Sequence, residues 1–355
     1  MSAEQQRDTG NYEYVTARVR SRRAALFDDD DYRKLVRMGT GEIARFMEDT
    51  EYESEMNALG ARHAGVDLIE YALNRNLAKH FDDLLRWSEG ALYDYIARYL
   101  RKFDAWNVKT VLRGIYSDTP AEDIEEDLIR AGELSEATLE ALLGADSIEE
   151  AVEALERTMF ADDLETALSD YEDTGLLVPL ENAVDRAFYE TLLSGLPDTV
   201  EGDSPVGLYI EFLRAEIDFR NLRNVLRIAR SGADIDPAEY YIEGGKLFDE
   251  SQVRQSAENA QQLVEFVRES RYGEELEAAL DDLEEAESLI EFEHSLDYAL
   301  LEYSDQLSNR YPLSVCPVLA YVLAKEREVD NIRAVARGRE AGLSPEEIQE
   351  ELVLL

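Results

Sequence analysis

One ten-residue pattern occurs three times in this chain, and it constrains the fold more than any other feature. Its copies are Asp104-Ala-Trp-Asn-Val-Lys-Thr-Val-Leu-Arg, Asp218-Phe-Arg-Asn-Leu-Arg-Asn-Val-Leu-Arg and Glu328-Val-Asp-Asn-Ile-Arg-Ala-Val-Ala-Arg. The asparagines Asn107, Asn221 and Asn331 stand 114 and 110 residues apart. Three further anchors keep the same order. Glu70, Glu181 and Glu293 are spaced by 111 and 112 residues, Tyr52, Phe160 and Tyr272 by 108 and 112, and Leu26, Leu134 and Leu247 by 108 and 113. A proline follows each motif, at Pro120, Pro237 and Pro345. The period predicts three copies of one unit at 11–126, 127–240 and 241–355. A unit of this length exceeds a solenoid repeat and falls within the size range of a small domain.

The units read as helical. Apolar and charged residues alternate at three- and four-residue spacing, as in Ile124-Glu-Glu-Asp-Leu-Ile and Leu276-Glu-Ala-Ala-Leu. Breakers are sparse, with 8 Pro and 19 Gly in 355 residues. Asp118, Asp236 and Ser344 each precede a proline closely and are expected to cap helix starts. No alternating pattern with hairpin turns marks a strand. The expected fold is all-α, with three similar helical sectors of about 110 residues; if these close into a pseudo-threefold ring, the ring has a central hollow.

At about 100° per residue, positions +1, +4 and +5 from each Asn share an apolar face. The acid at −3 (Asp104, Asp218 or Glu328) falls inside that arc. A carboxylate there needs a partner to offset its desolvation, expected on a neighbouring helix of the same repeat. Positions +2 and +6 lie on the opposite face and are basic in every copy: Lys109 and Arg113, Arg223 and Arg227, Arg333 and Arg337. These six are candidate partner-binding residues, and local neutralisation of surrounding acids is the competing reading.

That competition matters because the chain is strongly acidic, with 79 Asp and Glu against 36 Lys and Arg and a net charge of −43. Such a balance argues against nucleic-acid binding, which needs clustered cations, and against docking on anionic lipid. Only six of the basic residues are lysines. The acids are spread along the whole chain, as expected of a protein solvated in a salt-rich cytoplasm. The hydrophobic share of 45% is enough for packed cores. The longest nearly apolar run, Leu313 to Ala324, is too short to span a bilayer. The polar stretch Met1–Gly10 lacks an apolar signal core, and the one cysteine, Cys316, fits a reducing compartment.

Local catalytic signatures are missing. His63, His80 and His294 are scattered and form no zinc pattern, no Walker loop is present, and no cofactor is expected. Gly39-Thr-Gly-Glu-Ile-Ala superficially fits a dinucleotide fingerprint, but it follows a charged helical stretch, and Glu42 would face the phosphates.

The triplicated layout resembles the C subunit of archaeal A-type (V-type) ATP synthases, a family that includes the d subunit of eukaryotic V-ATPases. The residues that carry the resemblance are Asn-Val-Lys-Thr-Val-Leu-Arg-Gly at 107–114 and Ala-Lys-Glu-Arg-Glu-Val-Asp-Asn-Ile-Arg-Ala-Val-Ala-Arg-Gly at 324–338. Tyr14-Val-Thr-Ala-Arg-Val-Arg and the closing Glu347-x-x-x-Glu-Leu-Val add to it, and the acid excess points to a haloarchaeal member. The resemblance implies a funnel-shaped, non-catalytic component of the central stalk. It would sit peripherally on the cytoplasmic side of the cell membrane, on the proteolipid ring. It would receive the shaft formed by the D and F subunits and act indirectly on the larger A3B3 complex. A cytosolic helical scaffold unrelated to ATP synthesis, or an enzyme with a site on the pseudo-threefold axis, are the alternatives.

Overall fold

A computed structural model describes residues 10–197, 204–231, 236–257, 260–273, 276–277, 280–281 and 289–354. Residues 1–9, and residues 278–279 within the Leu276–Leu280 run, lie outside the described residues. Helix is the dominant structure, and no strand occurs among the described residues. The chain folds as two compact units, Met1–Val184 together with Tyr321–Leu354, and Asp185–Ala320. These boundaries follow compactness and do not coincide with the sequence period.

In the first unit the longest helix of the N-terminal part is Gly65–Trp87. Ile69, Leu73, Leu77, Phe81 and Leu84 recur at one-turn spacing along it and are buried as a single stripe. The first motif helix, Lys102–Tyr116, lays Phe103 against Phe81 with ring centroids 5.0 Å apart. Its end differs from the sequence expectation. Asp118 caps no helix start; it takes the left-handed conformation at φ 57°, and the Thr119 N–H donates to the Gly114 carbonyl at 2.9 Å. Aspartate tolerates that conformation better than most non-glycine residues. The next helix, Ala121–Glu126, starts after Pro120. Ser344 does cap, accepting from the Glu347 N–H at the head of Pro345–Glu350. Asp236 accepts from Ala238 N–H but opens only a four-residue 3-10 turn, Pro237–Tyr240.

The second unit is built on the second motif helix, Pro205–Ser231, and on Leu289–Arg310. Arg227 pairs with Glu293 and Arg223 with Asp297, so the two helices run antiparallel. The third motif helix is Cys316–Glu340. Its portion from Tyr321 onward belongs to the first unit, where Arg337 meets Glu70, Arg333 meets Asn74 and Tyr321 meets His80 along Gly65–Trp87. That pairing is antiparallel too.

Candidate functional site

The three motifs build the same seam in three chemical layers. In the first, each asparagine clamps one residue by both of its backbone groups. Asn107 Oδ1 accepts from Ile129 N–H at 2.8 Å while its amide donates to the Ile129 carbonyl at 2.9 Å. Asn221 does the same to Ile242 at 2.9 and 2.8 Å, and Asn331 to Val353 at 3.1 and 2.8 Å. The clamped residues follow their asparagines by 22, 21 and 22 positions. A planar amide offering one acceptor and one donor fits this task, because a buried peptide group must have both its N–H and C=O paired.

The second layer is the buried acid, and here the partner differs from the expected one. Asp104 accepts the N–H groups of Glu133 and Leu134 at 2.8 and 3.0 Å. Asp218 accepts those of Lys246 and Leu247 at 2.6 and 2.8 Å, together with the Tyr272 hydroxyl at 2.8 Å. Glu328 accepts the Phe27 N–H and the Tyr52 hydroxyl, both at 2.6 Å. Counted by the sequence period, each acid reaches into the next repeat in the order first to second, second to third, third to first. The reason is geometric: a carboxylate on the inward face of a helix meets free N–H donors where another segment begins, and the donors of its own helix are already used. Two glycines make room. A Cβ on Gly132 would lie 2.0 Å from Asp104 Oδ1, and one on Gly245 2.1 Å from Asp218 Oδ1. By the sequence period the position equivalent to these two glycines is Ala24.

The third layer places the basic residues. Arg113 pairs with Glu181, and Arg227 makes a two-pronged pair with Glu293 at 2.6 Å for each bond. Arg337 makes a two-pronged pair with Glu70. The acceptors are the recurring glutamates of the sequence, again each from the next repeat. At +2, Arg223 pairs with Asp297, and Arg333 donates to Asn74 Oδ1 at 2.9 Å. Lys109 is half-buried. The +2 and +6 positions therefore differ in exposure. Arg113, Arg227 and Arg337 are 54, 54 and 64% exposed, whereas Arg223 and Arg333 are 21 and 17% exposed.

In the first unit the structure brings Arg113, Arg333 and Arg337 to one cleft of about 350 Å3, with Glu70, Asn74 and the exposed Trp106. The glutamates and the tyrosines at 52 and 272 were visible as periodic positions, but period alone gave them no role. Lys325 carried no repeated signal: it is buried at 1% exposure and donates to Tyr52 Oη at 2.8 Å and to Glu328 Oε1 at 2.7 Å. Burial lowers its pKa, and the Glu328 carboxylate opposes that. His80, bonded to Tyr321, is pushed down to about 2 by burial and by Lys325, so the imidazole is neutral.

The glycine-rich stretch at Gly39 is a helix cap. Glu42 Oε2 accepts the Gly39 N–H at 2.9 Å and fills the helix N-terminus that a phosphate would need. No cluster of three metal-ligating side chains occurs among the described residues. No described helix is long and apolar enough to cross a membrane.

The same three-layer seam recurs at the motifs of Asn107, Asn221 and Asn331 in an all-helical chain. The chain belongs to the ATP synthase (C/AC39) subunit family, whose model matches residues 15–351. It is 63% identical over 345 residues to the A-type ATP synthase C subunit of Halobacterium salinarum, covering 97% of this chain and 98% of that protein. The same-named protein of Halorubrum lacusprofundi is 62% identical over 346 residues, covering 98% of both. That of Methanosarcina mazei is 34% identical over 360 residues, covering 100% of this chain and 96% of the relative.

Proposed function

We propose that this chain serves as the C subunit of an A-type ATP synthase. In this reading it is a non-catalytic adaptor that joins the membrane proteolipid ring to the shaft formed by the D and F subunits. It acts on the A3B3 assembly only through that shaft. It sits peripherally on the cytoplasmic side, the ring supplying the membrane span. The observation that carries the reading is the 63% identity to a protein of that name over nearly the full length of both chains. Family membership leaves the unrelated-scaffold alternative without support.

Within this reading the partner-facing positions are Arg113, Arg227 and Arg337, which keep more than half of their surface in solvent while paired. Lys109, Arg223 and Arg333, one turn earlier, are the more covered members of each pair. The cleft beside Trp106 supports a contact surface there, because aromatic and Arg side chains are favoured anchors at interfaces.

Cross-linking mass spectrometry on native membranes in molar KCl tests the proposal. Links to the D/F shaft and to proteolipid loops are expected; links only to soluble proteins outside the synthase would overturn it. Replacing Arg113, Arg227 and Arg337 together by Gln should release the chain from the complex at lower salt. An unchanged salt profile, with helix content preserved, would confine these arginines to their intramolecular pairs.

A further inference from the structure

The three acid seams are alike in geometry but not in how the chain tethers them. Asp104 reaches N–H groups 29 and 30 residues away, and Asp218 reaches groups 28 and 29 residues away. Glu328 reaches Phe27 and Tyr52 across 301 and 276 residues. Opening the first two seams frees a short loop at most. The third has no short covalent tether, so its opening releases more chain entropy and must be resisted by local chemistry.

That chemistry is present. Lys325 and Glu328 are 1 and 4% exposed, and both bond the Tyr52 hydroxyl. The ammonium also lies 4.2 Å from the Tyr52 ring centroid. By the sequence period, the residues equivalent to Lys325 are Arg101, paired with Glu133 and one-third exposed, and the buried Ala215. A buried ion pair is costly to leave half-made, because one uncompensated charge would stay in the interior. Removing either partner alone is therefore strongly destabilising.

The segment that carries these groups is also coherent in itself. Asn331 clamps Val353, and Gly338 approaches Ile348 so closely that a Cβ would stand 2.7 Å from it. The tail is thus folded back on the helix it follows.

We propose that Tyr321–Leu354 is a strap latched onto the N-terminal residues by the buried Lys325–Glu328–Tyr52 cluster, and that it opens as one piece while Asp185–Ala320 stays folded. The inference concerns the chain alone and does not depend on its assembly partners.

Hydrogen exchange of the full-length chain in molar KCl tests it, with Lys325→Met and Glu328→Gln beside the wild type. Tyr272→Phe, which removes the hydroxyl from the Asp218 seam, is the control. In the first two variants exchange should rise roughly a hundredfold over Tyr321–Glu340 and around Phe27 and Tyr52. Peptides from Pro205–Ser231 should keep wild-type protection. The control should show the reverse pattern. Unchanged exchange in the strap, or an equal rise in both units, would overturn the proposal. If a variant fails to fold, native-state exchange of the wild type in mild urea decides. A single opening shared by the strap amides, below global unfolding, is expected; merger with the global transition would overturn it.

Discussion

Asp104 is 3% exposed, and burial pushes its carboxyl up from 3.8 to about 6 although two backbone N–H groups pull it down. A folded-state pKa above the unfolded one means that the folded chain holds an extra proton between these values. The stabilisation this group contributes is complete below the unfolded pKa and is lost as pH rises through about 6. The stability difference between the wild type and Asp104→Asn should therefore shift against the wild type by about 2 kcal/mol between pH 4 and pH 7. Urea unfolding of both proteins at constant molar KCl measures it; a pH-independent difference would mean that the carboxyl titrates normally in its pocket. Burial raises Asp218 in the same direction, with the Tyr272 hydroxyl as an added lowering donor that Phe160 cannot supply to Asp104.

At the scale of elements, the motif helices are held by what their inward polar residues do to segments outside the helix. The apolar positions Val108, Val111 and Leu112 are fully buried, as helical spacing requires, but burial of this kind is non-directional. Direction comes from the asparagine clamps. In Asn221→Ala the Ile242 N–H and C=O lose their partners in a dry environment, at an expected cost of about 2–4 kcal/mol. The urea midpoint should fall accordingly, and Asn107→Ala and Asn331→Ala should match it closely because the geometry is the same. A loss below about 0.5 kcal/mol would show that water or a shifted backbone replaces the clamp.

For the whole molecule, the charge of −43 sets the conditions under which these contacts hold. Exposed carboxylates repel over a screening length of about 10 Å at 0.1 M salt and about 3 Å at 1 M. Thermal melts should rise steeply from dilute buffer to molar KCl, although the exposed Arg–Glu pairs weaken over the same range. Identical melts at both salts would contradict the repulsion argument.

The sequence by itself determined the helical class, the period, and which face of each motif helix turns inward, the acid included. These are local properties, written in spacings of three and four residues and repeated at fixed intervals. Tertiary structure alone decided where the inward groups reach. Asp104 finds its donors in the following repeat, Arg337 finds Glu70 at a separation of 267 residues, and an unrepeated Lys325 completes the cluster around Glu328. A helix fixes the direction of a side chain relative to its own axis. The group it meets depends on how separate segments pack: the recurring glutamates Glu70, Glu181 and Glu293 mark where acceptors lie but not which arginine each one meets.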